Sequence, residues 1–311
     1  MCVHVRASFA LRNASSRKLV TSGNHYTFVA VPGYNRVVIS DGAPRLSSLE
    51  TAVLSWADRL DRTSLTTADI ESIVGAANGR HVASSLAHKG LLQRLSKGVY
   101  RVQPLGAIGR SRSGSAIAAV ALVLGDRLYY VGGRTAASLH RLTTQRYATV
   151  VDVYTPRRLR PRRVGQAELV IHPVAMDALQ FGLTHMTIDD VAVVVSDPER
   201  TFLDLLDRSE RLLGFSETRR ILHDNLGHKL RAARLVNYVR HWPKTSTARR
   251  LGVLLEREGV TDETLAPLIR SLRGSASDAA LVPGGTRRGA LHPRFRVILN
   301  DQPAEVDDSS A

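Results

Sequence analysis

"KGLLQRLSKGVYRV", residues 89–102, decides how the first hundred residues are read. Leu91, Leu92 and Leu95 on one side and Val99, Tyr100 and Val102 on the other supply two short β-favouring runs. Lys97-Gly98 between them provides the positive φ of a tight hairpin turn. Arg94, Lys97 and Arg101 load the pair with positive charge, so the stretch reads as a small basic wing.

Outward from the hairpin toward the N-terminus stand three helical segments. "NGRHVASSLAHKG" (78–90) places Val82 and Leu86 four apart on one face, which sends Asn78, His81, Ser84, Ser85 and His88 largely elsewhere. "TSLTTADIESIVG" (63–75) offers Thr66 or Thr67 as N-cap, an apolar stripe of Ile70, Ile73 and Val74, and Gly75 as its stop. "SSLE" (47–50) has the spacing of a capping box ahead of the helical run "TAVLSWADRL". Three helices, a very short link between the second and third, and a basic hairpin predict a winged helix-turn-helix over 46–103. The expected DNA contacts are Asn78, Arg80, His81, Ser84, Ser85, His88 and Lys89 on the third helix, with Arg94, Lys97 and Arg101 of the wing on phosphates. A packed helix with solvated polar residues is the plainer alternative for 78–90.

Composition agrees with a polyanionic partner. Lys and Arg number 43 against 28 Asp and Glu, a formal charge of +15, and 43% hydrophobic residues suffice for real cores. Part of the arginine content can reflect a GC-rich genome. A single cysteine, Cys2, excludes an intramolecular disulfide and any cysteine-cluster metal site. No apolar run approaches the roughly 18 residues of a membrane span; "AIAAVALVLG" (116–125) reads as a core helix. No membrane, metal or cofactor is expected, and the cytoplasm is the expected location. Residues 1–45 stay unassigned: "HYTFVAVPGYNRVVI" (25–39) suggests two strands about a Pro-Gly-Tyr-Asn turn, and a start codon placed too far upstream is the alternative.

Beyond the wing, "QPLGAIGRSRSGS" marks a linker at 104–115, and 116–300 reads as a second domain followed by an acidic, disordered tail, 301–311. Helix 116–124, strand 128–131, helix 134–141 and strands 149–154, 167–174 and 191–195 precede helices at 198–207, 216–226, 231–241 and 246–258. Strands first and a helical C-terminal half make this a mixed α+β domain, an open sheet covered by helices. The loop "TPRRLRPRRVG" (155–165) concentrates Arg157, Arg158, Arg160, Arg162 and Arg163, suited to a phosphate backbone or an acidic protein face, or simply to solvent.

"GLLQRLSKGVYRV" (90–102), "YYVGGRTAASLHRL" (129–142), "VYTPRRLRPRRVG" (153–165), "VSDPERTFLDLLDR" (195–208), "ARRLGVLLEREG" (248–259) and "GGTRRGALHPRFRVILN" (284–300) together resemble the AbiEi-type antitoxins of bacterial abortive-infection systems. The resemblance runs from about 47 to 300. It implies an N-terminal winged helix that binds promoter DNA and represses its own operon, and a C-terminal domain that neutralises a cognate nucleotidyltransferase-like toxin.

Catalytic patterns are weak. In "VSDPERTFLDLLDR", Asp197 reads as N-cap, Pro198 as first helical residue, and Arg200 with Asp204 as an internal ion pair, not an acidic active site. His223 and His228 are five apart, the wrong spacing for helical metal ligands, and "GSASD" (274–278) has Ala280 where a second metal-binding carboxylate would stand. The chain is therefore expected to be no enzyme. Two other readings remain: a stand-alone DNA-binding regulator, and a nuclease using Asp152 and Glu168, although Ile171 and His172 stand where the usual lysine would follow.

Overall fold

The computed structural model describes residues 18–22, 25–29, 44–103, 114–159 and 162–301, so the expected linker and acidic tail lie almost wholly outside the described residues. The chain divides into two compact units, Met1–Ser113 and Gly114–Ala311, and both mix helices with sheets.

In the first unit, strand β1 (Lys18–Ser22) pairs antiparallel with β2 (His25–Val29), Ser22 opposite His25. The segment before 25–29 is thus a partner of it, with Gly23 and Asn24 between them in the sequence, while the expected Pro-Gly-Tyr-Asn turn and the strand beyond it lie outside the described residues. Helix α1 (Ser48–Arg59) opens with the expected capping box: the Glu50 N–H donates to Ser47 Oγ at 3.3 Å, and the Ser47 N–H to the Glu50 carboxylate at 2.6 Å.

Strand β3 (Ser64–Thr66) leads into α2 (Thr67–Val74), whose N-cap is Thr66 with Asp69 closing a second box. Gly75, at φ +85°, ends α2 and begins α3 (Ala76–His88), a one-residue turn that a Cβ would strain. Strands β4 (Leu92–Ser96) and β5 (Val99–Val102) form the basic hairpin, with Gly98 at φ +76° in its turn. The sheet has three strands, not two, in the order β3-β5-β4, all antiparallel. Val53, Leu65, Ile70, Val82, Leu86 and Leu91 meet in the core beneath it.

The second unit begins with α4 (Ala116–Leu124), β6 (Tyr130–Val131), α5 (Gly133–Leu139) and β7 (Val150–Thr155). It continues with β8 (Arg162–Val164), β9 (Ala167–Pro173), β10 (Leu183–Ile188) and β11 (Val191–Ser196). These strands make one six-stranded mixed sheet in the order β10-β11-β6-β7-β9-β8. Two of them correct the sequence expectation. Residues 162–164, expected in a loop, are an edge strand antiparallel to β9, and β10 has no counterpart among the expected strands.

Helices α6 (Pro198–Asp207), α7 (Phe215–Asn225), α8 (Ala232–Val239), α9 (Thr245–Arg257) and α10 (Asp262–Leu272) build a helical core around Phe202, Leu222, Leu235, Leu251 and Leu268. The C-terminal part is not all helix. Strands β12 (Ala279–Ala280), β13 (Leu291–His292) and β14 (Val297–Ile298) form a small sheet in the order β12-β14-β13. Buried Arg249 ties that sheet to α9, donating to Phe295 O at 2.7 Å and Ser275 O at 2.6 Å, while a Cβ at Gly252 would overlap the Phe295 ring.

Candidate nucleic-acid interface

Helix α3 has two faces set by its sequence. Gly79, Val82, Ala83 and Leu86, spaced i, i+3, i+4 and i+7, are buried. Ala77, Arg80, His81 and Ser84 repeat the same spacing two residues earlier, on the opposite side, and with His88 a turn further on are exposed. Gly79 sets the approach of α2, since a Cβ there would overlap the Glu71 side chain. The exposed stripe contains two cationic or titratable side chains per turn at its leading end and no carboxylate.

The expected contact residues separate into three groups. Arg80, His81, Ser84 and His88 on α3, and Arg94 and Lys97 on the hairpin, are exposed. Asn78 is exposed too, in the first turn because α3 starts at Ala76, and its side-chain amide donates to Val74 O at 3.1 Å. Ser85, Lys89 and Arg101 are committed to the interior.

The carboxylate of Glu50, 2% exposed, accepts from Ser85 Oγ and from Lys89 Nζ, each at 2.7 Å, and Lys89 also donates to Arg45 O. Burial raises the Glu50 pKa, but the Lys89 ammonium and the bonds from Ser47 and Ser85 outweigh it and hold the carboxyl at about 2. Lys89 thus neutralises the buried charge of Glu50 behind the helix. Arg101 corrects the wing assignment. Because β3 adds to the hairpin, β5 becomes the central strand, with Arg101 between Ser64 and Gln93, and its side chain is 8% exposed.

In the second unit, Arg157 and Arg158 after β7 and Arg163 on β8 are exposed; Arg160 and the side chain of Arg162 lie outside the described residues. The nuclease pair is not assembled for metal binding. Asp152, fully buried, accepts from Arg134 through Nε (2.9 Å) and Nη2 (2.8 Å), from the Arg134 N–H, and contacts His172 Nε2 at 2.9 Å. Burial raises its pKa, yet Arg134 and His172 more than offset this, so it is lowered. Glu168 is exposed on β9, in register with Val150 and not with Asp152. No group of three His, Cys, Asp or Glu among the described residues could hold a metal ion.

The "VSDPERTFLDLLDR" helix forms as expected: the Asp197 side chain caps α6 by accepting from the Arg200 N–H at 2.9 Å, with Pro198 at its start. Arg200 and Asp204 lie 3.5 Å apart, both 2% exposed. What the sequence does not reveal is their company. The Arg200 guanidinium sits 4.5 Å from the centroids of both Phe181 and Trp242, and it and Asp204 share the Tyr130 hydroxyl at 3.0 Å each. Burial pushes the Asp204 carboxyl up to about 7 against the opposing pull of Arg200, Tyr130 and Arg208. No helix among the described residues is long and apolar enough to cross a membrane.

No family model matches the chain, and no curated protein matches it. Among solved structures, the crystal structure of RV2827C protein from Mycobacterium tuberculosis is similar, with a TM-score of 0.60 and 17% identity over 84% of this chain and 95% of that one. That coverage is longer than either unit alone, so the likeness is one of fold across both.

Proposed function

We propose that residues 46–103 are a winged helix-turn-helix that binds double-stranded promoter DNA, and that the chain is an antitoxin which represses its own operon and neutralises a nucleotidyltransferase-like toxin through residues 116–300. The observation that carries the DNA half is the exposed, carboxylate-free stripe Arg80-His81-Ser84-His88 on α3, with Arg94 and Lys97 exposed on the hairpin of the same unit. A helix of that face fits the major groove, where Asn and Arg discriminate bases, while hairpin cations neutralise phosphates. The toxin half rests on the resemblance of the sequence blocks to AbiEi-type antitoxins, and the exposed Arg157, Arg158 and Arg163 give it a basic surface for an acidic partner.

The deciding experiment is a titration of the full chain against its own upstream DNA and a scrambled duplex at several salt concentrations. Preferential retention of the upstream DNA is expected, with Arg80→Ala relaxing base preference by about 1–3 kcal/mol at one position. Equal retention of both duplexes, or none at modest ionic strength, would remove the repressor reading. Co-expression with the product of a neighbouring nucleotidyltransferase gene tests the other half: growth restored by the full chain, and not by a chain ending near Pro104, is the expected result.

A further inference from the structure

A second concentration of cations lies on the helical part of the second unit. Between the 3-10 turn Ser209–Arg211 and the start of α9 is a cavity of about 290 Å³ lined by Arg208, Arg211, Lys244 and Arg250. Asp207 and Glu210 also line it, but Asp207 is already occupied, accepting from Lys244 Nζ at 2.8 Å and Thr247 Oγ1 at 2.7 Å. Four cations therefore face two carboxylates. Neither Arg211 nor Arg250 has an ion-pair partner among the described residues; Arg250 spends its Nε on Ala280 O, at 2.8 Å. Burial pushes the Arg250 pKa down, and Asp207 and Glu210 offset only part of that.

The wall holds one more unfinished group. Ser209 is 1% exposed, lines the cavity, and its hydroxyl has no hydrogen-bond partner among the described residues. A buried donor without an acceptor, beside a partly desolvated Arg250 and an exposed Arg211 that lack ion-pair partners among the described residues, marks a place for an anion. Guanidinium forks match tetrahedral oxyanions with several oxygens, phosphate above all.

We propose that this cavity binds a small phosphate-class anion, inorganic phosphate or pyrophosphate, held by Arg211, Arg250 and the Ser209 hydroxyl. The site is independent of the DNA-binding reading and stands or falls without it.

The test is calorimetric titration of the full-length chain with sodium phosphate, sodium pyrophosphate and sodium sulfate at constant ionic strength. Saturable binding of phosphate or pyrophosphate, at least ~10-fold tighter than sulfate, is expected, because a phosphate oxygen that keeps its proton can donate to Glu210 on the wall and sulfate has no proton to donate. Arg250→Gln and Arg211→Gln should each weaken it ~10-fold or more and Ser209→Ala about threefold, while the Arg94→Gln/Lys97→Gln double variant leaves it unchanged. Arg211 is exposed, so its variant decides the matter even if Arg250→Gln fails to fold. No saturable heat, equal binding of sulfate, affinity untouched by Arg211→Gln, or affinity abolished in the hairpin double variant would each overturn the assignment.

Discussion

The unit containing α1–α3 and the unit containing the six-stranded sheet draw on the same arginine-rich composition, and the second, beside its exposed arginines, also builds several into its interior. In the first, Arg80, Arg94 and Lys97 stay in water, and its buried carboxylate, Glu50, has a lysine of its own. In the second, Arg134, Arg200 and Arg249 turn inward to hold Asp152, an aromatic cage with Asp204, and the C-terminal sheet. A cation in water is available to a partner, whereas one already paired and desolvated is structural.

The contrast breaks most sharply at Arg134. Its removal leaves Asp152 fully buried with His172 as its remaining side-chain partner, and losing one partner of a buried pair costs about 3–5 kcal/mol. Arg134→Ala should lower the free energy of urea unfolding of the second unit, followed through Trp242, by an amount of that size. A loss below about 1 kcal/mol would mean that the pair is worth no more than a surface bridge and that the two units do not differ in this way.

Asp204 sharpens the comparison through pH. Its folded pKa, about 7, lies above its ordinary value of 3.8, so the folded state binds the proton more tightly than the unfolded chain. The stabilisation is complete below about pH 4 and is lost as pH rises to about 7, a change of up to ~4 kcal/mol. Asp204→Asn abolishes that titration, so its stability relative to the parent should rise across the same interval. A relative stability that falls from pH 4 to 7 would show that Asp204 is held as a carboxylate by Arg200.

Glu50 runs the other way. Its folded pKa of about 2 lies below the ordinary 4.5, so its contribution is present above pH 4.5 and disappears as pH falls toward 2. Glu50→Gln should cost the first unit about 3 kcal/mol at neutral pH, with the gap closing in that acid window. Trp56 fluorescence in a Trp242→Phe background reports this unit alone. A gap that persists at pH 2 would assign the loss to packing in place of charge.

How much of this is legible follows from the sequence distance between the residues that interact. The Ser47–Glu50 box, the Asp197 cap and the hairpin at Gly98 are decided within four residues, and each stands where its residue types put it. Strand β10 escapes the sequence because its turn places Asp189 and Asp190 at φ +49° and +61°, a conformation usually signalled by Asn-Gly. Helix α10 escapes it because Pro267 sits inside, and β12–β14 because two-residue strands carry no periodicity. Arg101 reads as a surface residue because its inward course depends on β3, more than thirty residues earlier in the chain. Tyr130 and Arg200 are seventy residues apart, so no local pattern announces the cage they share.

The smallest effect falls on the exposed cations of the first unit. Arg94 and Lys97 are exposed, and neither contributes to the core around Leu65 and Leu86. Arg94→Ala and Lys97→Ala should accordingly leave the unfolding free energy within about 0.5 kcal/mol of the parent. Their cost should appear only on DNA: for every phosphate left without its cation, the slope of log K against log salt becomes shallower by about 0.9, alike on specific and scrambled duplexes. Arg101→Ala separates exposure from mere position in the hairpin, since a side chain 8% exposed should change stability and leave the salt slope alone. Were Arg101→Ala to flatten the slope as much as Lys97→Ala, the inward course of β5's arginine would not persist on DNA, and the division between cations kept in water and cations spent inside would fail within the unit that defines it.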